Sequence, residues 1–407
     1  MRIAFLCTSG MDNASPRGRW LPIARELART GHELHLLLLH PTYDKLPANK
    51  REQVIEGVRV THVAQMHVYG LPGERRYFTP AELIKVSLRA AFALRRACVR
   101  LCPDIIHVCK PQPINGLAGW LAARQLRRPL FVDCDDYEAE ANRTNSAFQR
   151  KMLAWWEDRL PLHAQGVTVN TRFLFERCRA LGVPEARLRY VPNGADALPA
   201  HVPPPPALAR LVRQPIVLYV GTLSIASHAV DLLLEAFAKV ESQLPEVQLV
   251  IVGDGDDRDV LKAQAHRLGL HNVHWLGRLL PDEARRCYVA AYCSVDPVRD
   301  TPTMRARSPL KIAESLAAGT PVVTGDVGDR REMLANGEAG VLVQAGDAGT
   351  LANGLCYLLA NHGRRERMAQ HARTKAQAYA WDKLCRQWME IYEVAAQRQH
   401  IREPGAR

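Results

Sequence analysis

The sequence has no apolar run long enough to cross a bilayer. After the first strand-like stretch the longest is Leu34–Leu39, which His35 interrupts, far short of the ~20 residues a spanning helix needs. Met1–Cys7 carries one charge and a short apolar run that stops at Thr8-Ser9-Gly10. A buried strand ending in a loop is expected there, not a secretory leader. Cysteine pairs are also missing. The ten cysteines are scattered without a CxxC, and the nearest helical pair is Cys98 and Cys102, so no zinc framework is expected. Free thiols such as Cys7, Cys109 and Cys134 in apolar surroundings suit a reducing, cytoplasmic setting. There is no short-period repeat. Nor is there the interleaving of aromatic and basic residues that marks nucleic-acid modules, so no nucleic acid is expected as a partner.

The composition is that of a soluble globular chain, 407 residues with 47% hydrophobic and 24% charged, long enough for two domains. The charge is uneven. Residues 1–198 hold 29 Lys and Arg against 19 Asp and Glu, and residues 199–407 hold 25 against 23, so most of the net +12 lies in the first half. A basic half suits an acidic small molecule or an anionic lipid surface, or is simply solvated surface.

Both halves alternate short apolar runs with amphipathic segments. Runs such as Ile3–Cys7, Glu33–Leu39, Ile105–Val108 and Leu130–Asp133 show little polar alternation, as do Ile216–Val220 and Val247–Val252. Strands of that kind separated by helices predict parallel sheets covered on both faces, an α/β chain of two Rossmann-like, doubly wound domains facing a cleft. The boundaries are read as 1–198 for the first domain, 199–214 for a Pro-rich linker containing Pro203 to Pro206, and 215–380 for the second domain. A closing helix follows over 381–407. In such sheets ligands bind beyond the carboxyl ends of the strands, so loops after strands are where chemistry is sought.

The stretch Arg307-Ser308-Pro309-Leu310-Lys311-Ile312-Ala313-Glu314 is the most informative of these. Ser308 suits an N-cap and Pro309 the first helical position, and Gly319 is a natural stop. The amides at such a helix start form an anion site. Lys311 in the first turn is disfavoured by ~0.3–1 kcal/mol unless an anion neutralises it or it points into solvent. Glu314, one turn on, either pairs with Lys311 or reaches a ribose hydroxyl. After the first strand, Arg17-Gly18-Arg19 opens a helix where Arg17 or Arg19 could clamp a phosphate. After another strand, Asp135 and Asp136 could hold a ligand hydroxyl, accept its proton or cap a helix. His107 and Cys109 read as packing or cleft lining, and no metal ligand set is expected.

The Arg307–Val323 stretch resembles the donor-site motif of glycosyltransferase family four, a retaining family of the GT-B fold, in its Ser-Pro-x-Lys version. The resemblance extends over nearly the whole chain, through Gly31-His32-Glu33, Pro103-Asp104-Ile105-Ile106-His107, Pro192-Asn193-Gly194, Tyr219-Val220-Gly221-Thr222, Gly253-Asp254-Gly255 and Leu276-Gly277-Arg278. It implies a GT-B architecture whose last helix crosses back to the N-terminal domain. It also implies donor contacts at Arg17, Gly18, Gly221, Thr222, His228, Asp254, Arg278, Ser308, Pro309, Leu310, Lys311 and Glu314, with Glu314 on the ribose. The sequence departs from the family at three positions: Ala306 stands where a glutamate is usual, Thr222 where an arginine is, and His228 where a lysine is. Lys311, with Arg305 or Arg307, is expected to supply the missing charge.

The implied activity is transfer of a hexose-type sugar from a nucleoside-diphosphate sugar to a hydroxyl of a glycan or lipid-linked acceptor, with retention. Lys311, Glu314, Asp135 and Asp136 are the catalytic candidates. The nucleotide sugar is a substrate, and no cofactor or metal is expected. The basic residues Arg75, Arg76, Lys85, Arg89, Arg95, Arg96 and Arg100 could rest against an anionic membrane carrying the acceptor. The alternative is a non-catalytic nucleotide-sugar-binding protein with a degenerate donor site.

Overall fold

The computed structural model describes residues 1–13, 15–70, 76–141, 146–199 and 202–402. The chain forms two compact units. One comprises Met1–Pro192 with Ala306–Ser308 and the chain from Trp381 onward; the other comprises Asn193–Arg305 and Pro309–Ala380.

In the first unit the strands are β1 (Arg2–Cys7), β2 (Glu33–His40), β3 (Glu52–Ile55) and β4 (Val58–Gln65), then a two-strand ribbon of β5 (Val68–Tyr69) and β6 (Arg76–Tyr77). They are followed by β7 (Ile105–Cys109), β8 (Leu130–Cys134), β9 (Gly166–Val169) and β10 (Leu188–Tyr190). Eight of them make one sheet in the order β10-β9-β8-β7-β1-β2-β4-β3, parallel except for β3, which runs antiparallel on β4 at the edge. Every residue of β7, β8 and β9 is buried, because helices cover both faces of the sheet.

The last helix, Trp381–Arg402, supplies one of those covers. Trp381, Leu384, Trp388, Ile391 and Tyr392 join Phe5, Phe131 and Trp20 in one core. His107, in the middle of β7, stacks on Trp388 at 4.8 Å, and its Nδ1 lies 2.7 Å from the Tyr392 hydroxyl. Burial pushes the His107 imidazole down to about 3, so it packs as a neutral ring. Cys109 is buried beside it. Gly166 leaves room for this helix: a β-carbon there would sit 2.3 Å from Ile391.

The second unit contributes β11 (Ile216–Val220), β12 (Gln248–Val252), β13 (Val273–Gly277), β14 (Cys293–Asp296), β15 (Val322–Gly325) and β16 (Gly340–Val343). They form one fully parallel sheet in the order β13-β12-β11-β14-β15-β16. The Pro-rich stretch lies along this unit. Leu208 is buried, and the Arg286 guanidinium donates to the carbonyls of Pro203 at 2.8 Å and Pro204 at 3.1 Å.

The strand order reverses between β1 and β7 in the first sheet and between β11 and β14 in the second. At such a switch point the loops leave on opposite faces and open a crevice at the carboxyl edge. Both charged clusters described next stand at these points.

Candidate active site

In the second unit the switch point lies between Gly221, just after β11, and Asp296, which ends β14. The loop after β11 is held by the loop after β12. Gly221 N–H donates to Val252, Leu223 N–H to Asp254 and Asp257 N–H to Leu223. This approach explains the Gly253-Asp254-Gly255 motif. A β-carbon on Gly253 (φ +139°) would lie 1.9 Å from the Gly221 carbonyl oxygen, and one on Gly255 would lie 2.2 Å from that of Leu223. The buried Tyr219 donates its hydroxyl to the Thr222 carbonyl at 2.8 Å, tightening the same turn.

The helix Leu310–Ala318 starts beside this loop. Pro309 is its N-cap, with φ −74° and ψ 104°, and no side chain caps it. Ser308 therefore lies one residue outside the cap that its hydroxyl was expected to supply. Proline at the cap has no N–H, and the Ile312 N–H is already spent on the Pro309 carbonyl at 3.0 Å. The Leu310 amide makes no hydrogen bond among the described residues. It is the donor this helix start presents to an anion.

Lys311 folds back toward the glycine loop. Its Nζ sits 4.7 Å over the Tyr219 ring, 3.2 Å from Asp296 Oδ1, and 3.4 Å from where a Gly221 β-carbon would be. The solvent-pointing alternative is thus set aside: the side chain is only 12% exposed. Glu314 follows one turn later, and no ion pair joins it to Lys311. Burial pushes the Glu314 carboxyl up to about 7 although Arg285, Tyr288 and Lys311 all pull it down. Behind it, Arg285 pairs with Asp196 at 3.1 Å, and the buried Tyr288 hydroxyl faces the Glu314 carboxylate. The remaining donor candidates are distributed around these residues. Thr222 and Arg278 are exposed, Asp254 is half-buried in the loop facing Gly221, and His228 ends the short helix Ile225–His228. Arg305 is tied to Asp300 at 2.7 Å and exposed, so its charge is compensated locally.

The first unit's switch point carries a second cluster. Lys110, directly after β7, lies 3.4 Å from Asp135, 2.5 Å from Asp136 and 3.1 Å from Glu138. Arg307, which belongs to this unit, lies 3.5 Å from Asp136. Burial pushes the Asp135 carboxyl up to about 7. For Asp136 burial works in the same direction, but Lys110 and Arg307 outweigh it and hold the carboxyl below its usual range. Neither aspartate caps the following helix Glu138–Ala141. Glu157 does so instead, accepting from the amides of Glu138 and Ala139. Arg17 and Gly18 lie in the turn Pro16–Trp20; Arg17 is exposed and donates to the Met11 carbonyl at 3.1 Å. Arg19 is no phosphate clamp. It is 1% exposed, bonded to both oxygens of Asp133 at 2.7 and 2.8 Å, and sits over Trp388. Asp133 accepts from Trp20 and Thr168 as well, so this carboxylate belongs to the core rather than to a ligand. Ala306, where the resemblance leads one to expect a glutamate, is fully buried among apolar residues of the first unit, a site that would penalise a carboxylate.

Lys110, Tyr219, Asp296 and Arg330 were not singled out from the sequence. Two of them had a readable signal: a lysine directly after a buried apolar run at 105–109, and a carboxylate closing the buried run Cys293-Ser294-Val295-Asp296. Among the described residues no group of three or more His, Cys, Asp or Glu is arranged to hold a metal ion.

Two doubly wound α/β units, each with charged residues at its switch point, have the architecture of the GT-B fold, and comparison with known proteins gives the class. Residues 17–194 match the glycosyl transferase 4-like domain, and residues 214–361 match the glycosyl transferases group 1 family. The chain belongs to glycosyltransferase family four. It is 28% identical over 417 residues to a D-inositol 3-phosphate glycosyltransferase of Xylanimonas cellulosilytica, covering 94% of this chain and 92% of that one. It is 29% identical over 400 residues to a phosphatidyl-myo-inositol mannosyltransferase of Mycobacterium leprae, covering 97% of each. Among solved structures, a sucrose-phosphate synthase from Thermosynechococcus elongatus matches with a TM-score of 0.77 at 21% identity, covering 98% of this chain and 100% of that one. HepE of Anabaena, in complex with UDP and glucose, matches with a TM-score of 0.72 at 19% identity, covering 97% and 99%.

Proposed function

We propose that this glycosyltransferase moves a hexose-type sugar from a nucleoside-diphosphate sugar to a hydroxyl of a lipid-linked or glycan acceptor, with retention of the anomeric configuration. The observation that carries the reading is the joint presence of the Lys311 ammonium, the Leu310 amide and the Glu314 carboxylate at the carboxyl edge of the second sheet's switch point. The hard step in such a transfer is departure of the nucleoside diphosphate. A fixed cation and an aimed amide stabilise the charge that develops on its phosphate oxygens. Glu314 accepts hydrogen bonds from the ribose hydroxyls. Asp135 is the carboxylate suited to taking the acceptor proton, because a group that titrates near 7 gives up and regains a proton at working pH. Lys110, itself anchored by Asp136, holds it in place.

The HepE structure with UDP and glucose supports a nucleotide-sugar donor, and the name of the phosphatidyl-myo-inositol relative supports a lipid acceptor. So does the surface of the helix Pro80–Leu101. Ile84, Leu88 and Phe92 form an exposed apolar stripe, with Lys85, Arg89 and Arg96 exposed beside it. The helix Ala147–His163 exposes Phe148, Met152 and Trp155 in the same manner, next to Arg150 and Lys151. Such a mixture suits an anionic membrane surface carrying the acceptor. Arg76 and Arg100 are exposed too, Arg95 is engaged by Gln125, and Arg75 lies outside the described residues. No described helix is long and apolar enough to cross a membrane.

The test is a panel of UDP-, GDP- and ADP-sugars, read by thermal stabilisation and by nucleotide release with and without lipid extracts as acceptor. One donor should stabilise the wild type and be turned over, and Lys311→Ala and Glu314→Ala should lower turnover sharply. A donor that binds equally to all three proteins would refute the assignment. Sedimentation with phosphatidylglycerol vesicles at low and high salt tests the membrane reading, which fails if the protein stays in the supernatant at both.

A further inference from the structure

Resting on the donor-site reading, the geometry points to Asp296, backed by Arg330 and Thr324, as the positioning residue that sets the Lys311 ammonium against the glycine loop. Asp296 is 3% exposed at the end of β14. One carboxylate oxygen accepts from Arg330 Nε at 2.8 Å and shares the Thr324 hydroxyl, at 3.1 Å, with the Asp296 backbone carbonyl at 2.9 Å; the other faces Lys311 Nζ at 3.2 Å. Arg330 is itself fixed: 3% exposed, with Nη1 donating to the carbonyls of Met304 at 3.3 Å and Val327 at 3.2 Å.

One carboxylate thus serves two cations, and the group as a whole keeps a single positive charge. Arg330 is sealed in the interior, so that charge emerges at Lys311, the more exposed of the two cations, beside Gly221. A lysine on four rotatable bonds is otherwise a loosely aimed donor. Here the carboxylate pulls the side chain back from the helix start and the Tyr219 ring floors it. Asp296 does not consume the Lys311 charge, because Arg330 has already balanced the carboxylate.

Two opposite expectations separate positioning from simple charge. Asp296→Asn removes a negative charge beside the anion site. On Coulomb's law alone it should tighten an anion, whereas loss of aim should weaken it. The probe is inorganic pyrophosphate, titrated calorimetrically into the full-length protein. Asp296→Asn is expected to weaken pyrophosphate about tenfold, within the range for directly coupled groups. Thr324→Val keeps every charge but removes a donor shared by the Asp296 carbonyl and carboxylate, leaving Arg330 alone on that oxygen, and is expected to weaken pyrophosphate about threefold. In the Lys311→Ala background neither change should cost more, since there is no ammonium left to aim. Unchanged or tighter binding in a folded Asp296→Asn protein, or an additive loss in the Lys311→Ala background, overturns the inference. If Asp296→Asn does not fold, wild-type affinity in Thr324→Val overturns it. Lys311→Ala binding pyrophosphate as the wild type does would refute the donor-site reading itself. Weakening in Lys311→Ala without weakening in Asp296→Asn would refute this assignment alone.

Discussion

Glu314→Gln should make the protein more stable and a poorer donor binder at the same time, with both effects growing as pH rises through 7. The ligand-free Glu314 carboxyl is pushed up to about 7 by burial, against an ordinary 4.5. A carboxyl whose folded pKa exceeds its unfolded one contributes stability that is fully present below about 4.5 and lost as pH rises through about 7. The displacement corresponds to a ceiling of about 3 kcal/mol, and glutamine carries no such penalty. Ribose hydroxyls need the ionised form as acceptor, so binding has the opposite sign. The carboxyl is about one-tenth ionised at pH 6 and about nine-tenths at pH 8, so wild-type affinity for a nucleotide sugar should rise up to about tenfold between them. The donor's diphosphate is a diester that does not titrate in this window; Asp135 and Glu157 do, so the slope belongs to Glu314 only where the glutamine variant flattens it. Calorimetry with the best donor at pH 6, 7 and 8, alongside thermal melts of the free proteins, reads both quantities. A flat wild-type affinity profile, or a glutamine variant that binds as tightly at pH 8, would refute the reasoning.

Lys311→Ala should lower turnover by about 10²-fold or more, as expected for removal of a donor aimed at the leaving group, with circular dichroism unchanged; turnover within a factor of two would count against its role. Asp133→Asn leaves the buried Arg19 without its carboxylate and should cost about 3–5 kcal/mol, seen as a lower urea midpoint. A midpoint equal to the wild type would mean that Arg19 finds other acceptors. Gly253→Ala drives a methyl into the Gly221 carbonyl, so the two loops must separate. Donor binding should fall well beyond the loss of melting temperature, and parallel losses in both would indicate a purely structural role.

The architecture was legible because the strands are buried runs without alternation and the helices between them are amphipathic. What escaped notice was the edge. The strand Glu52–Ile55 is mostly exposed, with Val54 facing solvent, and such a segment carries no burial pattern to read. At the site, Lys311 and Glu314 were legible because they share one helix, where spacing fixes the face. Asp296, Arg330 and Tyr219 come from three separate elements that only the strand order brings together; Asp296 closes a readable buried run, but nothing local announces that it meets Arg330 and Lys311. Arg19 shows the converse. Its place after the first strand suggested a ligand, but burial against Asp133 made it part of the core. The departures at Ala306, Thr222 and His228 were visible as substitutions, while the place of the Lys311 ammonium beside Gly221 and Asp296 required coordinates.

In a crystal structure with the nucleotide sugar that stabilises the protein best, diphosphate oxygens should lie within hydrogen-bond distance of Lys311 Nζ and the Leu310 amide, with both ribose hydroxyls on Glu314. A nucleotide bound elsewhere, or one whose diphosphate leaves Lys311 untouched on Asp296, would contradict the donor-site reading.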